Sequence, residues 1–366
     1  MTPHPTAGAA AHAPLSTALT DLVGCRHPIV QTGMGWVAGP RLVSATANAG
    51  GLGILASATM SLERLAAAIA EVRARTGAPF GVNLRADAAD APDRVDLLIR
   101  KRVRVASFAL APTPELIARL KDAGIAVIPS VGAPRHARKV AAWGADAVLV
   151  QGGEGGGHTG PVPTSVLLPQ VVDAVDIPVV AAGGFFDGRG LVAALAYGAS
   201  GVAMGTRFLL TSDSPVPEEV KRFYLDATDT VVTREVDGVP HRVLRTDLID
   251  ALESTGRLRR IPRLLHAARN AAAFRRASGL SWRDLLRDGL ALRHARGLPW
   301  SQVLMAANTP MLLRCAMVDG RTDLGVMASG QVVGAINHPD DLPSCAELID
   351  RIMAEAHATL DRFDRT

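Results

Sequence analysis

A run of glycines that ends on a single histidine is the strongest chemical signal in the sequence. Five glycines occupy six positions around Glu154, between Gln151 and His158. An imidazole titrates near neutral pH, so a histidine at the end of an uncluttered loop is suited to act as a general acid or base. Glu154 has two interpretations, because its carboxylate can either tune the histidine or cap a turn. We take His158 as the candidate catalytic residue.

Other glycine-rich tips suit a phosphate-bearing cofactor with a flat ring. Gly183-Gly184 and Met204-Gly205-Thr206 follow apolar runs, and backbone N–H groups at such tips can face a phosphate without side chains in the way. Gly33-Met34-Gly35 would let a flat ring approach the backbone, and Asn83 offers both a donor and an acceptor to its edge. The alternatives are tight glycine turns and, at Asn83, an Asx turn.

The sequence shows no residue pattern for metal-dependent catalysis or for an acyl-enzyme nucleophile. His241, His266 and His294 are scattered far along the chain from His158, so we expect no metal site. The sequence has no Gly-x-Ser-x-Gly elbow, and its three cysteines lie outside the predicted strand ends. An odd number of widely spaced cysteines indicates a reducing cytoplasm, and we expect no membrane association.

Short apolar runs alternate with amphipathic segments over the first part of the chain. Such runs are typical of strands buried on both faces, and a (β/α)8 barrel needs eight of them. An open doubly wound sheet is the alternative, but no Gly-x-Gly-x-x-Gly follows the first run. We therefore predict an α/β fold, a (β/α)8 TIM barrel. Its predicted strands are His27–Gln31, Leu52–Ala56, Phe80–Leu84, Val103–Ser107, Ile125–Ser130, Ala147–Gln151, Pro178–Ala182 and Gly201–Met204.

The alternation of apolar runs and amphipathic segments ends after the eighth predicted strand. We predict a flexible tail at 1–16, the barrel at 17–210, a mostly helical, arginine-rich lid at 211–330, and a segment at 331–366 that packs back on the barrel. Within the lid, the alternation of Val231–Arg245 around Asp237-Gly238 is typical of strands. Eleven arginines and two aspartates fall between Thr255 and Trp300, in a chain whose net charge is +4. This basic stretch could bind nucleic acid, but few aromatic residues accompany it, so we expect none.

The ordered motifs resemble the nitronate monooxygenase family. They are Pro28 to Gln31 with Gly33-Met34-Gly35, Gly81 to Asn83, Gln151 to Gly160, Ala181 to Gly184, and Met204 to Thr206. The resemblance implies an FMN-dependent (β/α)8 barrel with His158 as catalytic acid/base. The family's Glu-Ala-Gly-Gly-His reads Glu154-Gly155-Gly156-Gly157-His158 here. The cofactor-binding residues expected from the tips and the resemblance are Gly33, Met34, Gly35, Asn83, Gln151, Gly156, Gly183, Gly184, Ala203, Met204, Gly205 and Thr206.

The chain looks closer to a bacterial subgroup of this family from steroid ring degradation. That resemblance implies NAD(P)H-linked hydride transfer to or from a hydroxy-indene-carboxyl-CoA ester. Arg259 and Arg260 would then meet the phosphates of coenzyme A, although a solvated helix face explains them equally well. Oxidation of alkyl nitronates with O2 is the first alternative, and a flavin-dependent enoyl-thioester reductase is the second. A homodimer is compatible with all three activities.

Overall fold

Eight parallel strands close into a barrel, in the order β1-β2-β3-β4-β5-β6-β8-β9. The computed structural model describes residues 15–254, 281–283, 286–287, 289–290, 293, 308–336 and 342–363. Because β1 pairs with both β2 and β9, the sheet has no free edge, and the predicted TIM barrel is confirmed over the open sheet. The strands are β1 (Ile29–Gln31), β2 (Leu52–Ala56), β3 (Phe80–Arg85), β4 (Val105–Ala109), β5 (Ala126–Val131), β6 (Val148–Gln151), β8 (Val179–Ala182) and β9 (Gly201–Met204).

Helices surround the barrel and cover its outer face. Successive strand residues point to opposite faces, so Ile54 packs in the barrel interior while its neighbour Leu55 packs against the helices. Helix α1 (Ala18–Val23) closes the amino end of the barrel, where Leu19 and Val23 join the interior cluster. The carboxyl end stays open. The outer helices are α2 (Pro40–Asn48), α3 (Leu62–Arg75), α4 (Ala91–Arg100), α5 (Pro114–Asp122), α6 (Pro134–Ala142), α7 (Thr164–Val172), α8 (Gly188–Ala196) and α9 (Thr206–Leu209).

A small antiparallel sheet stands over the open end of the barrel. Its strands β10 (Thr230–Thr233) and β11 (His241–Leu244) confirm the strand prediction around Asp237-Gly238. The third strand is β7 (Gly157–His158), the end of the glycine loop, which pairs with β11 so that His158 lies opposite His241. The accessory region is therefore joined to the barrel loop by backbone pairing. Its described helices are α10 (Glu218–Asp226), α11 (Asp247–Ser254), α12 (Asn308–Met317) and a 3-10 helix (Gln331–Ala335).

The closing helix α13 (Cys345–Phe363) packs back on the barrel as predicted. It lies against α8 so closely that a Cβ on Gly188 would come within 2.4 Å of the Ile352 carbonyl oxygen. The Gly188 N–H donates to Glu355 Oε2 at 2.9 Å, which satisfies a free donor at the start of α8. Among the described residues, the helices are too short or too polar to cross a bilayer.

Candidate functional site

A cavity of about 870 Å³ opens at the carboxyl ends of the barrel strands. In barrels of this kind the loops that follow the strands carry the chemistry. Every site residue predicted from the sequence lines this one cavity: His158, Gly33, Met34, Gly35, Asn83, Gln151, Gly156, Gly183, Gly184, Ala203, Met204, Gly205 and Thr206.

His158 is held by a carboxylate from the turn between β10 and β11. Its Nε2 lies 2.7 Å from Asp237 Oδ2, and the two residues are 79 positions apart in the chain. The side chain of His158 is half-exposed to the cavity, whereas that of Asp237 is buried. An ionised carboxylate can only accept, so the network assigns the proton of a neutral His158 to Nε2. The lone pair then lies on Nδ1, where the imidazole can take a proton from a ligand.

The carboxyl group of Asp237 is buried and ionised. Burial by itself raises its pKa, but the hydrogen bond and positive charge of His158, the Val239 N–H and the Thr309 hydroxyl outweigh burial and lower it to about 2. Thr309 Oγ1 donates to Oδ2 at 2.8 Å and Val239 N donates to Oδ1 at 3.1 Å. Both oxygens are therefore satisfied, and the carboxylate is fixed in one orientation.

A second histidine packs against His158. The ring centroids of His158 and His241 are 4.6 Å apart, and His241 is only 2% exposed. Burial first, and then the charge of His158, lower the pKa of His241 to about 4 against the opposing effect of Asp237. His241 is thus neutral at pH 7. His241 lies far along the chain from His158, but the pairing of β7 with β11 makes them direct cross-strand neighbours.

His158, Asp237 and His241 also form a potential metal-ligand set. Their donor atoms all lie within 4.8 Å of one another, and imidazole and carboxylate are common zinc ligands. Ligand atoms of a tetrahedral zinc site are about 3.3 Å apart, however. The 2.7 Å between His158 and Asp237 is the distance of a direct hydrogen bond. The arrangement is that of a proton-sharing pair.

The buried His241 should make stability depend on pH. Its pKa is lowered from 6.5 to about 4 on folding, so between those pH values the unfolded chain binds a proton that the folded chain does not. The free energy of unfolding should therefore fall as the pH drops from 6.5 toward 4, by up to about 3 kcal/mol. Urea unfolding at about pH 7 and about pH 5 should show about 2 kcal/mol of this difference. The same difference in His241→Gln would contradict the assignment.

Side-chain contacts hold the glycine loop in shape. Gln151 Nε2 donates to the backbone oxygen of His158 at 2.8 Å, which ties the two ends of the loop together. The carboxylate of Glu154 accepts from Thr164 N at 2.9 Å and from Thr164 Oγ1 at 2.7 Å. Glu154 therefore caps α7, where a negative charge is stabilising. Of its two interpretations from the sequence, the structure supports capping.

Gly156 should not tolerate a side chain. A Cβ there would lie 2.6 Å from both the Gly330 nitrogen and the Ser329 carbonyl carbon, which are backbone atoms that cannot rotate away. Gly156→Ala should lower the free energy of unfolding by about 1–3 kcal/mol. Gly160→Ala in the same loop is the control, because a Cβ there meets no atom within 4 Å. Equal stability of the two variants in urea would contradict this packing.

Bare backbone faces the cavity on two sides. A Cβ on Gly33 would come within 2.5 Å of Asn83 Cβ, so only glycine fits beside that side chain. At the tip of β8, two strands away around the barrel, Gly183 and Gly184 have φ of +90° and +89°, a conformation that residues with side chains rarely adopt. Thr206 Oγ1 accepts from Gly330 N at 2.8 Å and keeps its own hydrogen to donate. These residues could hold a ring on one side and an anion on the other.

The arginine-rich stretch reaches the mouth of the cavity. Trp282, Leu286 and Gly289 are described by the structure, and all three line the opening. The side chains of Trp282 and Leu286 are largely exposed, which leaves apolar surface at the entrance. Arg259 and Arg260, predicted to meet coenzyme A, lie outside the described residues, as does the tail at 1–14.

Sequence reasoning missed Asp237, His241 and Thr309. Asp237 precedes Gly238 in a predicted turn, where aspartate is common for purely local reasons. His241 occupies a polar position in an alternating strand, which gives no sign of a partner far away in the chain. One signal could have found them. The predicted hairpin carries an aspartate and a histidine, and the loop histidine His158 has no carboxylate partner assigned from the sequence.

The chain matches the nitronate monooxygenase family model over residues 16–96 and 91–355. It is 69% identical, over 93% of its length and 96% of the relative's, to the (3aS,4S,5R,7aS)-5-hydroxy-7a-methyl-1-oxo-octahydro-1H-indene-4-carboxyl-CoA dehydrogenase of Mycobacterium tuberculosis. The enzyme of the same name from Rhodococcus jostii is 64% identical over 95% and 97%. Among solved structures, FabK from Thermotoga maritima superimposes with a TM-score of 0.76 at 35% identity, covering 96% of this chain and 99% of that one.

The family model extends through the barrel, the glycine loop and the accessory hairpin that bears Asp237. The alignment with the Mycobacterium tuberculosis relative leaves only 7% of the chain unmatched. The chain therefore belongs to the nitronate monooxygenase family and is an oxidoreductase.

Proposed function

We propose that the protein is an FMN-dependent dehydrogenase of a polycyclic carboxyl-CoA thioester, of the hydroxy-indene type named in its relatives. The observation that carries the proposal is the 69% identity to such a dehydrogenase over 93% of the chain. An alignment of that extent covers far more of the chain than the barrel frame alone. Fold alone would not support a substrate, because barrels of this kind host many reactions.

The cavity has the features that a flavin mononucleotide needs. Gly33 and Gly35 leave the backbone open to a flat ring beside Asn83, and the tips at Gly183-Gly184 and Gly205-Thr206 would receive the phosphate. Gln151, Gly156, Ala203 and Met204 complete the lining. When bound, a flavin supplies an acceptor for a hydride from the substrate, which NAD(P)+ then removes.

His158 would move the substrate proton. A thioester carbonyl acidifies the adjacent α carbon, and His158 Nδ1 is free to take that proton because Nε2 is hydrogen-bonded to Asp237. The β carbon loses a hydride in the same oxidation, so two hydrogens leave and a carbon–carbon double bond forms. In the opposite direction His158 returns the proton, which is the chemistry of an enoyl-thioester reductase. Asp237 holds the imidazole in the required tautomer throughout.

Oxidation of alkyl nitronates is the second candidate. The match to the nitronate monooxygenase family model favours it, since the model covers most of the chain. There His158 would take the proton α to the nitro group of a nitroalkane, which gives the nitronate, and O2 would be the oxidant. The two functions share the proton acceptor and differ in the oxidant and in the need for coenzyme A.

Arg259 and Arg260 are proposed to bind the phosphates of coenzyme A. Reversing their charge with glutamate should raise KM for the CoA ester and leave KM for the matching pantetheine ester unchanged. Both esters carry the same acyl group, so the pantetheine ester controls for effects on the acyl pocket. An equal rise in both KM values would remove the arginines from coenzyme A recognition.

Anaerobic titration of the purified protein with NADH and NADPH tests the proposed function. Reduction of the flavin band by either nucleotide is the expected result, because NAD(P)+ and the substrate exchange hydride through the same cofactor. A colourless protein would contradict the flavin. A yellow protein that stays oxidised with both nucleotides, and is reduced by an alkyl nitronate, would replace the dehydrogenase with the nitronate monooxygenase.

A further inference from the structure

The buried imidazole of His241 has no hydrogen-bond partner among the described residues. Neither Nδ1 nor Nε2 is paired, although only 2% of the residue is exposed. Leaving such a group unpaired costs free energy of about 1–3 kcal/mol. Native proteins rarely tolerate this away from a functional site. His241 also lines the cavity, so a ligand there can supply the missing partner.

The neighbouring groups do not satisfy His241. Its Nδ1 is 4.0 Å from Asp237 Oδ2, which is beyond hydrogen-bond distance. That carboxylate already accepts from His158, Thr309 and Val239. The imidazole therefore keeps an unused N–H donor beside the residue that moves the proton.

We propose that His241 donates a hydrogen bond to the acceptor oxygen conjugated with the carbon that loses its proton to His158. In a CoA thioester this is the carbonyl oxygen; in a nitroalkane it is a nitro oxygen. The assignment rests on the proposed function. It adds a recognition element for a class of substrates: those with an acceptor oxygen two bonds from an acidic carbon.

The geometry suits this division of roles. His158 and His241 are directly opposite in the β7–β11 pairing, their ring centroids are 4.6 Å apart, and both residues line the cavity. Removing the α proton moves negative charge onto the carbonyl oxygen, and a fixed donor at that oxygen stabilises the charge. Burial keeps His241 neutral, so it can donate without placing a second cation beside His158.

Infrared spectroscopy of a bound thioester tests the hydrogen bond. The probe is the α,β-unsaturated indene-carboxyl-CoA product, ¹³C-labelled at the thioester carbonyl. It does not react with the oxidised holoenzyme. We expect its carbonyl stretch to move to lower frequency on binding the wild type, to lose most of this shift in His241→Leu, and to keep part of it in His241→Gln, whose amide can still donate. Reduction of the flavin by the saturated ester should be about 10²-fold slower in His241→Leu.

Different results separate failure of this inference from failure of the proposed function. A wild type that neither binds the product nor is reduced by the ester contradicts the proposed function itself. A wild type that does both, with an unshifted carbonyl band, overturns the role of His241 without any variant. The same shift in His241→Leu also overturns it. So does stoichiometric zinc in the purified wild type that His241→Gln lacks, because His241 would then be a metal ligand.

Discussion

Replacing His158 by alanine is expected to slow reduction of the bound flavin by the CoA thioester about 10²- to 10⁴-fold. The α proton then has no acceptor, since Asp237 is buried behind the imidazole and both its oxygens accept other hydrogen bonds. The flavin should stay bound, because the proposed cradle consists of backbone at Gly33, Gly183 and Gly184. Anaerobic stopped-flow absorbance measures the rate, and the visible spectrum measures cofactor content.

His136→Ala is the matched control for this variant. His136 lies on the outer helix α6, is exposed and is not part of the cavity lining, so its loss should leave the rate unchanged. A His158→Ala enzyme that reduces its flavin at the wild-type rate would remove His158 from the chemistry. Loss of the flavin instead would show that His158 supports cofactor binding.

Asp237→Asn should be nearly as damaging, although it preserves size and shape. The Val239 N–H must face an acceptor, so it selects the amide oxygen of asparagine and turns the amide NH2 toward His158. His158 Nε2 then has to accept, and its proton moves to Nδ1, where the lone pair is needed. We expect a loss of roughly 10²- to 10⁴-fold in the rate of flavin reduction, by analogy with histidine–aspartate pairs in general.

Thr309→Val distinguishes the effect of the His158 tautomer on the rate from the effect of a less firmly held Asp237 carboxylate. It removes one hydrogen bond to Asp237 Oδ2 and leaves the carboxylate facing His158, so we expect a loss of no more than about tenfold. Equal rates for Asp237→Asn and Thr309→Val would mean that the pair only positions the loop. The two variants should unfold at comparable urea concentrations, so that a difference between their rates is not a difference in stability.

The barrel could be predicted because each strand carries its evidence locally. A strand such as Leu52–Ala56, buried on both faces, is continuously apolar and ends at a polar or glycine tip. Those tips converge at one end of any closed parallel barrel, so residues as distant as Gly33 and Thr206 could be assigned to one cavity from the sequence. The glycine loop with His158 belonged to the same set.

The partners of His158 could not be predicted because they depend on a long-range pairing. Strand β7 is two residues long, too short for any pattern, and it pairs with a hairpin more than seventy residues later. In the sequence, Asp237 and His241 are only polar residues of a turn and of a strand. The pairing of β7 with β11 places them at the cavity. Glu154 shows the converse: it is close to His158 in sequence, yet its hydrogen bonds go to α7.

The substrate deuterium isotope effect on flavin reduction tests whether the His158–Asp237 pair removes the proton α to the thioester carbonyl. The saturated hydroxy-indene-carboxyl-CoA, with deuterium at the α carbon, would be mixed anaerobically with the enzyme and the flavin absorbance followed through one turnover. We predict slower reduction than with the unlabelled ester. Full-rate reduction, with slowing only when the hydroxyl-bearing carbon carries deuterium, would place the oxidation at the alcohol and contradict the account.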